Sequence, residues 1–186
     1  MEKIYYSFID LDNEHFDFDG FCQNRIDYLN SFTDKKRKNQ SYYVWKLLLF
    51  ALKDLGFSND LMFYSESGKW FLKDLPICFS LSHTENLVAV VVSDFKVGVD
   101  VEKVSEKSLK LQKRYIKDDC SIAHLNTTNI IHFLTKKWTE EECKFKANNS
   151  IDKVYSTLIK DKNGIEFMLS CTSNEIPKQI LLEKII

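Results

Sequence analysis

Asp100 and Glu102 stand two residues apart in VGVDVE, where Val97, Val99 and Val101 alternate with Gly98, Asp100 and Glu102. Side chains of an extended strand alternate between faces, so both carboxylates project from one face, beside a glycine that leaves room for something to approach. Like charges so placed repel and are poorly hydrated, and a bound cation would relieve both penalties. Two acids on the wet edge of a strand would look the same, and spacing alone favours that plainer account.

A second group lies about forty residues downstream. In KKWTEEECKFKA, Trp138, Glu142 and Lys146 recur at i, i+4 and i+8, which puts them on one helical stripe. Taken by itself, this is a Glu–Lys pair beside a packed tryptophan, contributing only about 0.3–0.5 kcal/mol if exposed. Ser82-His83 follows an apolar strand pattern, and Lys35, Lys36, Arg37 and Lys38 form a basic run. Such a run is ordinarily a solvated helix face, although it can also hold phosphate.

The elements that must position these groups follow from periodicity and turn residues. Strands are expected over 77–81, 87–93 and 97–102, punctuated by Thr84-Glu85-Asn86 and Asp94-Phe95-Lys96. The middle one is apolar on both faces and belongs at the centre of a sheet. The aromatic and β-branched residues of 3–11 predict a first strand, whose end, Ile9-Asp10-Leu11-Asp12, echoes Val99-Asp100-Val101-Glu102 and hints at an internal duplication. A helix is expected over part of 16–29. A long one follows, capped by Thr33 or Asp34 and stopped at Gly56, with Trp45, Leu48, Leu49 and Leu52 in the core. Strands over 61–64 and 70–72 flank Ser65-Glu66-Ser67-Gly68-Lys69. Helix resumes loosely over 108–115 and firmly over 128–147. A hairpin of 154–160 with 165–171 turns at Asn163-Gly164, and 179–186 forms a final strand. The expected class is α+β, with two similar half-domains, 1–96 and 97–186, each a small, mainly antiparallel sheet with helices.

Composition narrows the function classes. The chain has 186 residues, 44% hydrophobic and 28% charged, with a formal net charge of −1, so it reads as a folded domain and no general nucleic-acid binder. Acids crowd the first strand and its sequel (Asp10, Asp12, Glu14, Asp17, Asp19). Five scattered cysteines without a CxxC fit a reducing interior, and Cys120 with His124 makes only half of a zinc site. No apolar run approaches the length of a membrane span and no signal peptide is visible, so a cytoplasmic location is expected.

Three motifs in order, FSLSH, VGVDVE and W-x-x-x-E-x-x-x-K, resemble the signature of the 4′-phosphopantetheinyl transferases, above all the surfactin-synthetase-activating type with two half-domains in one chain. Gly68-Lys69 resembles the Gly-Lys turn before that family's Ser-His strand. The chain departs from the pattern at Glu141, where the family has Lys, and at Gln40, where many members have Arg; it is also shorter than typical members. The resemblance implies a transfer of the phosphopantetheine arm of coenzyme A to a serine of an apo acyl or peptidyl carrier protein, with release of 3′,5′-ADP. It implies Mg²⁺ on Asp100, Glu102 and Glu142, catalysis by Glu142 and Lys146, and coenzyme A on Ser41, Lys69, Ser82, His83 and Lys146. His83 would meet the 3′-phosphate, helped by the basic run, and two half-domains in one chain imply an active monomer. Two other classes remain open: a coenzyme A or carrier-binding module without turnover, and a metal-dependent phosphoesterase using the same acids.

Overall fold

The computed structural model describes residues 2–12, 15–57, 61–116, 125–151, 153–173 and 178–182. Cys120, His124, Glu14 and residues 183–186 of the expected last strand lie outside that set. The chain is mixed α and β, with small, mainly antiparallel sheets, as the sequence led one to expect. The first sheet has the order β4-β5-β1-β9, built from β1 (Glu2–Phe8), β4 (Cys78–Thr84), β5 (Leu87–Ser93) and β9 (Lys178–Leu182). All its pairings are antiparallel except β1 with β9. Every residue of β5 is buried, as its two-faced apolar run requires.

On one face of this sheet lies α2 (Lys35–Asp54), preceded by α1 (Gln23–Asn30). Asp34 caps α2 by accepting a hydrogen bond from the Arg37 amide at 3.0 Å. Trp45, Leu48 and Leu52 pack there with Tyr5, Val88 and Val90. The hairpin β2 (Phe63–Glu66) and β3 (Lys69–Leu72) closes this core through Phe63, Trp70 and Leu72.

The other face packs on a second sheet of order β6-β8-β7, made of β6 (Val99–Lys103), β7 (Val154–Lys160) and β8 (Glu166–Thr172). Ile4, Ala89 and Val91 meet Val99, Val101, Phe167 and Leu169 in that interface. A 3-10 helix (Glu106–Leu111), α3 (Gln112–Tyr115) and α4 (Thr127–Lys146) complete the chain. The last of these covers the outer face of the second sheet, where Thr139 and Ser170 share a hydrogen bond of 2.7 Å.

One expectation shifts. The strand expected to stop near residue 81 runs on through Ser82, His83 and Thr84, because Glu85 takes a left-handed conformation (φ 45°) and closes a two-residue turn. The final strand returns to the first sheet and pairs with β1. Among the described residues no helix is long and apolar enough to cross a membrane.

Candidate functional site

Strands β4 and β6 are the facing edges of the two sheets, and side chains stitch them together. The Val99 amide donates to Ser80 Oγ and the Val101 amide to Ser82 Oγ, each at 3.2 Å. Ser82 in turn donates to Asp100 Oδ1 at 2.9 Å, and Thr84 to Glu102 at 3.2 Å. Alternation along β4 makes this possible: Ser80, Ser82 and Thr84 face β6, whereas Phe79, Leu81 and His83 face α2.

From α4, Lys146 reaches into the same seam. Its ammonium donates to Asp100 Oδ1 at 2.7 Å, to the Val99 carbonyl at 2.9 Å and to the Leu81 carbonyl at 3.4 Å. An ammonium has three protons, so all three have acceptors here. Gly98 makes the approach possible. A Cβ at that position would lie 1.8 Å from the Cys143 carbonyl oxygen, so what the glycine admits is the backbone of α4.

Asp100 is 6% exposed, and its second oxygen, Oδ2, is buried with no hydrogen-bond partner among the described residues. Glu102 is half-buried beside it and titrates above the ordinary carboxylate range, through desolvation first and the Asp100 charge second. Thr84 and the Trp138 indole N–H hold its charged form by hydrogen bonds. An orphaned buried carboxylate oxygen next to a second, strained carboxylate is a donor set that suits a hard divalent cation. Among the described residues no group of three Cys, His, Asp or Glu side chains is drawn close enough to enclose a metal, so Glu142 is not gathered with the strand acids.

Two cavities flank this line of acids. One, of about 570 Å³, is lined by Gly68, Lys69, Trp70, Leu81, Phe145 and Lys146. Lys69 closes its rim by donating to the Lys146 carbonyl at 2.9 Å. The other, of about 400 Å³, lies at the Glu102 end, between Thr84, Trp138, Lys103, Lys107 and Lys110.

Ser41 and His83 fall on the far side of β4, toward α1 and α2. Ser41 is buried and accepts at its hydroxyl, at 2.7 Å, from the guanidinium of Arg25, a residue that sequence reasoning passed over. Dense packing and the charges of Lys146, Arg25 and Arg37 push the His83 pKa down to about 4. The ring is exposed, so water offsets much of the burial and the three cations are the sounder cause. The one available signal for Arg25 was negative: Phe21, Cys22, Tyr28 and Leu29, three and four residues away, include no acid.

The departures from the motif have local partners. Glu141 accepts from Arg114 at 2.5 Å and Tyr115 at 2.7 Å, tying α3 to α4. Gln40 donates to the Glu85 carbonyl at 2.8 Å, and Lys36 pairs with the Glu85 carboxylate at 2.6 Å, so the hairpin turn takes up part of the basic run.

No family model matches the chain. Over 92 residues it is 29% identical to the 4′-phosphopantetheinyl transferase gsp of Aneurinibacillus migulanus, a stretch covering 48% of this chain and 38% of that relative. The chain thus aligns with well under half the length of the relative it matches, and the likeness supports the phosphopantetheinyl transferase superfamily and nothing finer.

Proposed function

We propose that the chain is a phosphopantetheinyl transferase, moving the phosphopantetheine arm of coenzyme A to a serine of an apo acyl or peptidyl carrier protein. The reading extends to a surfactin-activating arrangement of two half-domains, active as a monomer in the cytoplasm, with 97–186 carrying the acids. The observation that carries it is Asp100: one oxygen fixed by Ser82 and Lys146, the other buried and without a hydrogen-bond partner among the described residues, with Glu102 adjoining.

In the reaction the serine oxygen forms a bond to the β-phosphorus of coenzyme A, and the bond from that phosphorus to the departing 3′,5′-ADP breaks. The products are a phosphodiester on the carrier and the free nucleotide. Asp100 and Glu102 would hold Mg²⁺, which would neutralise the pyrophosphate charge that otherwise repels a nucleophile. Glu142 takes the serine proton. Lys146 fixes Asp100, and its 3.4 Å bond to the Leu81 carbonyl is the weakest of its three, the one a phosphate oxygen would replace. Ser41 and His83, facing α2, form a separate phosphate subsite for the 3′ position, and Lys69 lies on the rim of the larger cavity. Ser82, engaged with Asp100, acts through that carboxylate.

The test is incubation with an apo carrier protein, coenzyme A and MgCl₂, followed by the intact mass of the carrier. A gain of one phosphopantetheine is expected. Consumption of coenzyme A without labelling would indicate a phosphoesterase, and binding without either change would indicate a non-catalytic module; both overturn the proposal.

A further inference from the structure

Arg25 is a buried cation with no acid paired to it among the described residues. It is 3% exposed. Its contacts among the described residues are the Ser41 carbonyl at 2.6 Å, the Ser41 hydroxyl at 2.7 Å, and the rings of Tyr28, Trp45 and Trp70 at 5.0, 4.5 and 5.3 Å. Its Nε is buried with no hydrogen-bond partner among the described residues. Aromatic faces offset part of the desolvation of such a charge, but they do not replace a counter-ion. Burial brings its pKa down to about 10, leaving it a cation at neutral pH.

The geometry at Ser41 gives this charge a use. A hydroxyl has one proton to donate and accepts through its lone pairs. Arg25 fills an acceptor side of Ser41 Oγ, and no described residue accepts the Ser41 proton. That proton therefore points away from the guanidinium. Arg25 also acts electrostatically on His83, together with Arg37 and Lys146, so the surroundings of that imidazole are positive.

We infer that Arg25 is a positioning residue: by donating to Ser41 Oγ it turns the Ser41 hydroxyl into an outward donor for a phosphate monoester, selecting nucleotides phosphorylated at the 3′ position. This rests on the reading of Ser41 and His83 as phosphate contacts, and its test needs no turnover.

The probes are adenosine 3′,5′-bisphosphate and 5′-AMP, titrated calorimetrically into the whole protein and into Arg25→Met, Arg25→Lys, Ser41→Ala and the Arg25→Met/Ser41→Ala double variant. The wild type should favour the bisphosphate. Arg25→Met should weaken bisphosphate binding about tenfold, as loss of one charge-assisted hydrogen bond does, and leave AMP unchanged. On the Ser41→Ala background the same substitution should change nothing further. Should Arg25→Met fail to fold, Arg25→Lys decides: it keeps a cation in the aromatic cage but ends one atom short of the Nη2 that donates to both Ser41 oxygens, and it should also lose discrimination. Equal losses for both nucleotides, or an undiminished loss on the Ser41→Ala background, would overturn the inference. A wild type that does not distinguish the nucleotides would overturn the phosphate subsite itself, and with it the inference. A discriminating wild type with indifferent Arg25 variants would overturn the inference alone.

Discussion

Removing Lys146 would take a donor from three acceptors at once and leave the buried Asp100 carboxylate with Ser82 but without its cation. Lys146→Met should therefore destabilise the protein by about 3–5 kcal/mol, the range for breaking a buried pair from one side. Asp100→Asn should cost less, since the lysine it leaves behind is 28% exposed. Thermal denaturation of both variants checks the order, and a melting temperature that rises with MgCl₂ in the wild type but not in Asp100→Asn would tie the cation to this carboxylate. His83 supports a different measurement. Its pKa of about 4 lies below the 6.5 of the unfolded chain, so between these values the unfolded state binds more protons. Stability attributable to His83 is complete above pH 6.5 and declines as the pH falls toward 4; His83→Ala should flatten that part of the acid limb. A phosphate dianion would counter the three cations, so at pH 6 binding of adenosine 3′,5′-bisphosphate should take up protons, read by calorimetry in buffers of different ionisation enthalpy. Absence of uptake would mean that the imidazole stays neutral beside the ligand. The two strand acids were legible in the sequence because period-2 alternation is a local property. The acceptors of Lys146 were not, because a flexible four-carbon stem can reach any carbonyl that tertiary packing brings near.

At the level of elements, Gly98 sets the distance between β6 and α4. An added methyl would meet the Cys143 carbonyl oxygen at 1.8 Å and its carbon at 2.8 Å, both backbone atoms of a packed helix. Gly98→Ala should push α4 outward and cost about 3 kcal/mol, the upper end for overpacking. For a chain of this size that is a fall in melting temperature of roughly 6–12 °C. It should also draw Lys146 away from Asp100 and so weaken the proposed transfer; an unchanged melting curve would mean that the helix yields without penalty. The sequence flagged this glycine as a place of close approach but could not say what approaches. The long helices were legible to within a residue or two, since Asp34, Asn126 and Gly56 mark their ends by local chemistry. The strand carrying Ser82 and His83 was placed too short, because polar residues inside a strand look like its end. What keeps Ser80, Ser82 and Thr84 extended is their bonding across to β6, a partner eighteen or nineteen residues away.

At the level of the whole molecule, the two sheets share a core but meet at β4 and β6 through hydroxyls. Ser82→Ala would leave the Val101 amide without its Ser82 acceptor, a loss of about 1–3 kcal/mol for an unsatisfied buried group, while Asp100 Oδ1 keeps Lys146. Hydrogen exchange should then show the Val101 amide opening faster than those of β5; equal protection would mean that the seam does not depend on this hydroxyl. The layered α and β class was readable from the order of elements, but the destination of the last strand was not, because nothing local distinguishes pairing with β8 from pairing with β1. That destination has a consequence in time. Lys3 pairs with Val92 in β5 and with Lys178 in β9, 175 positions along the chain. Doubling the closed loop adds only about 0.6 kcal/mol, so the late pairing is thermodynamically cheap. On the ribosome the delay is longer than the energy suggests: at about 5–20 residues per second, β9 emerges roughly 4–17 s after β5. Through that interval β1 presents an open edge to other nascent chains, and its half-made sheet is the stage at which synthesis of this protein is most exposed to aggregation.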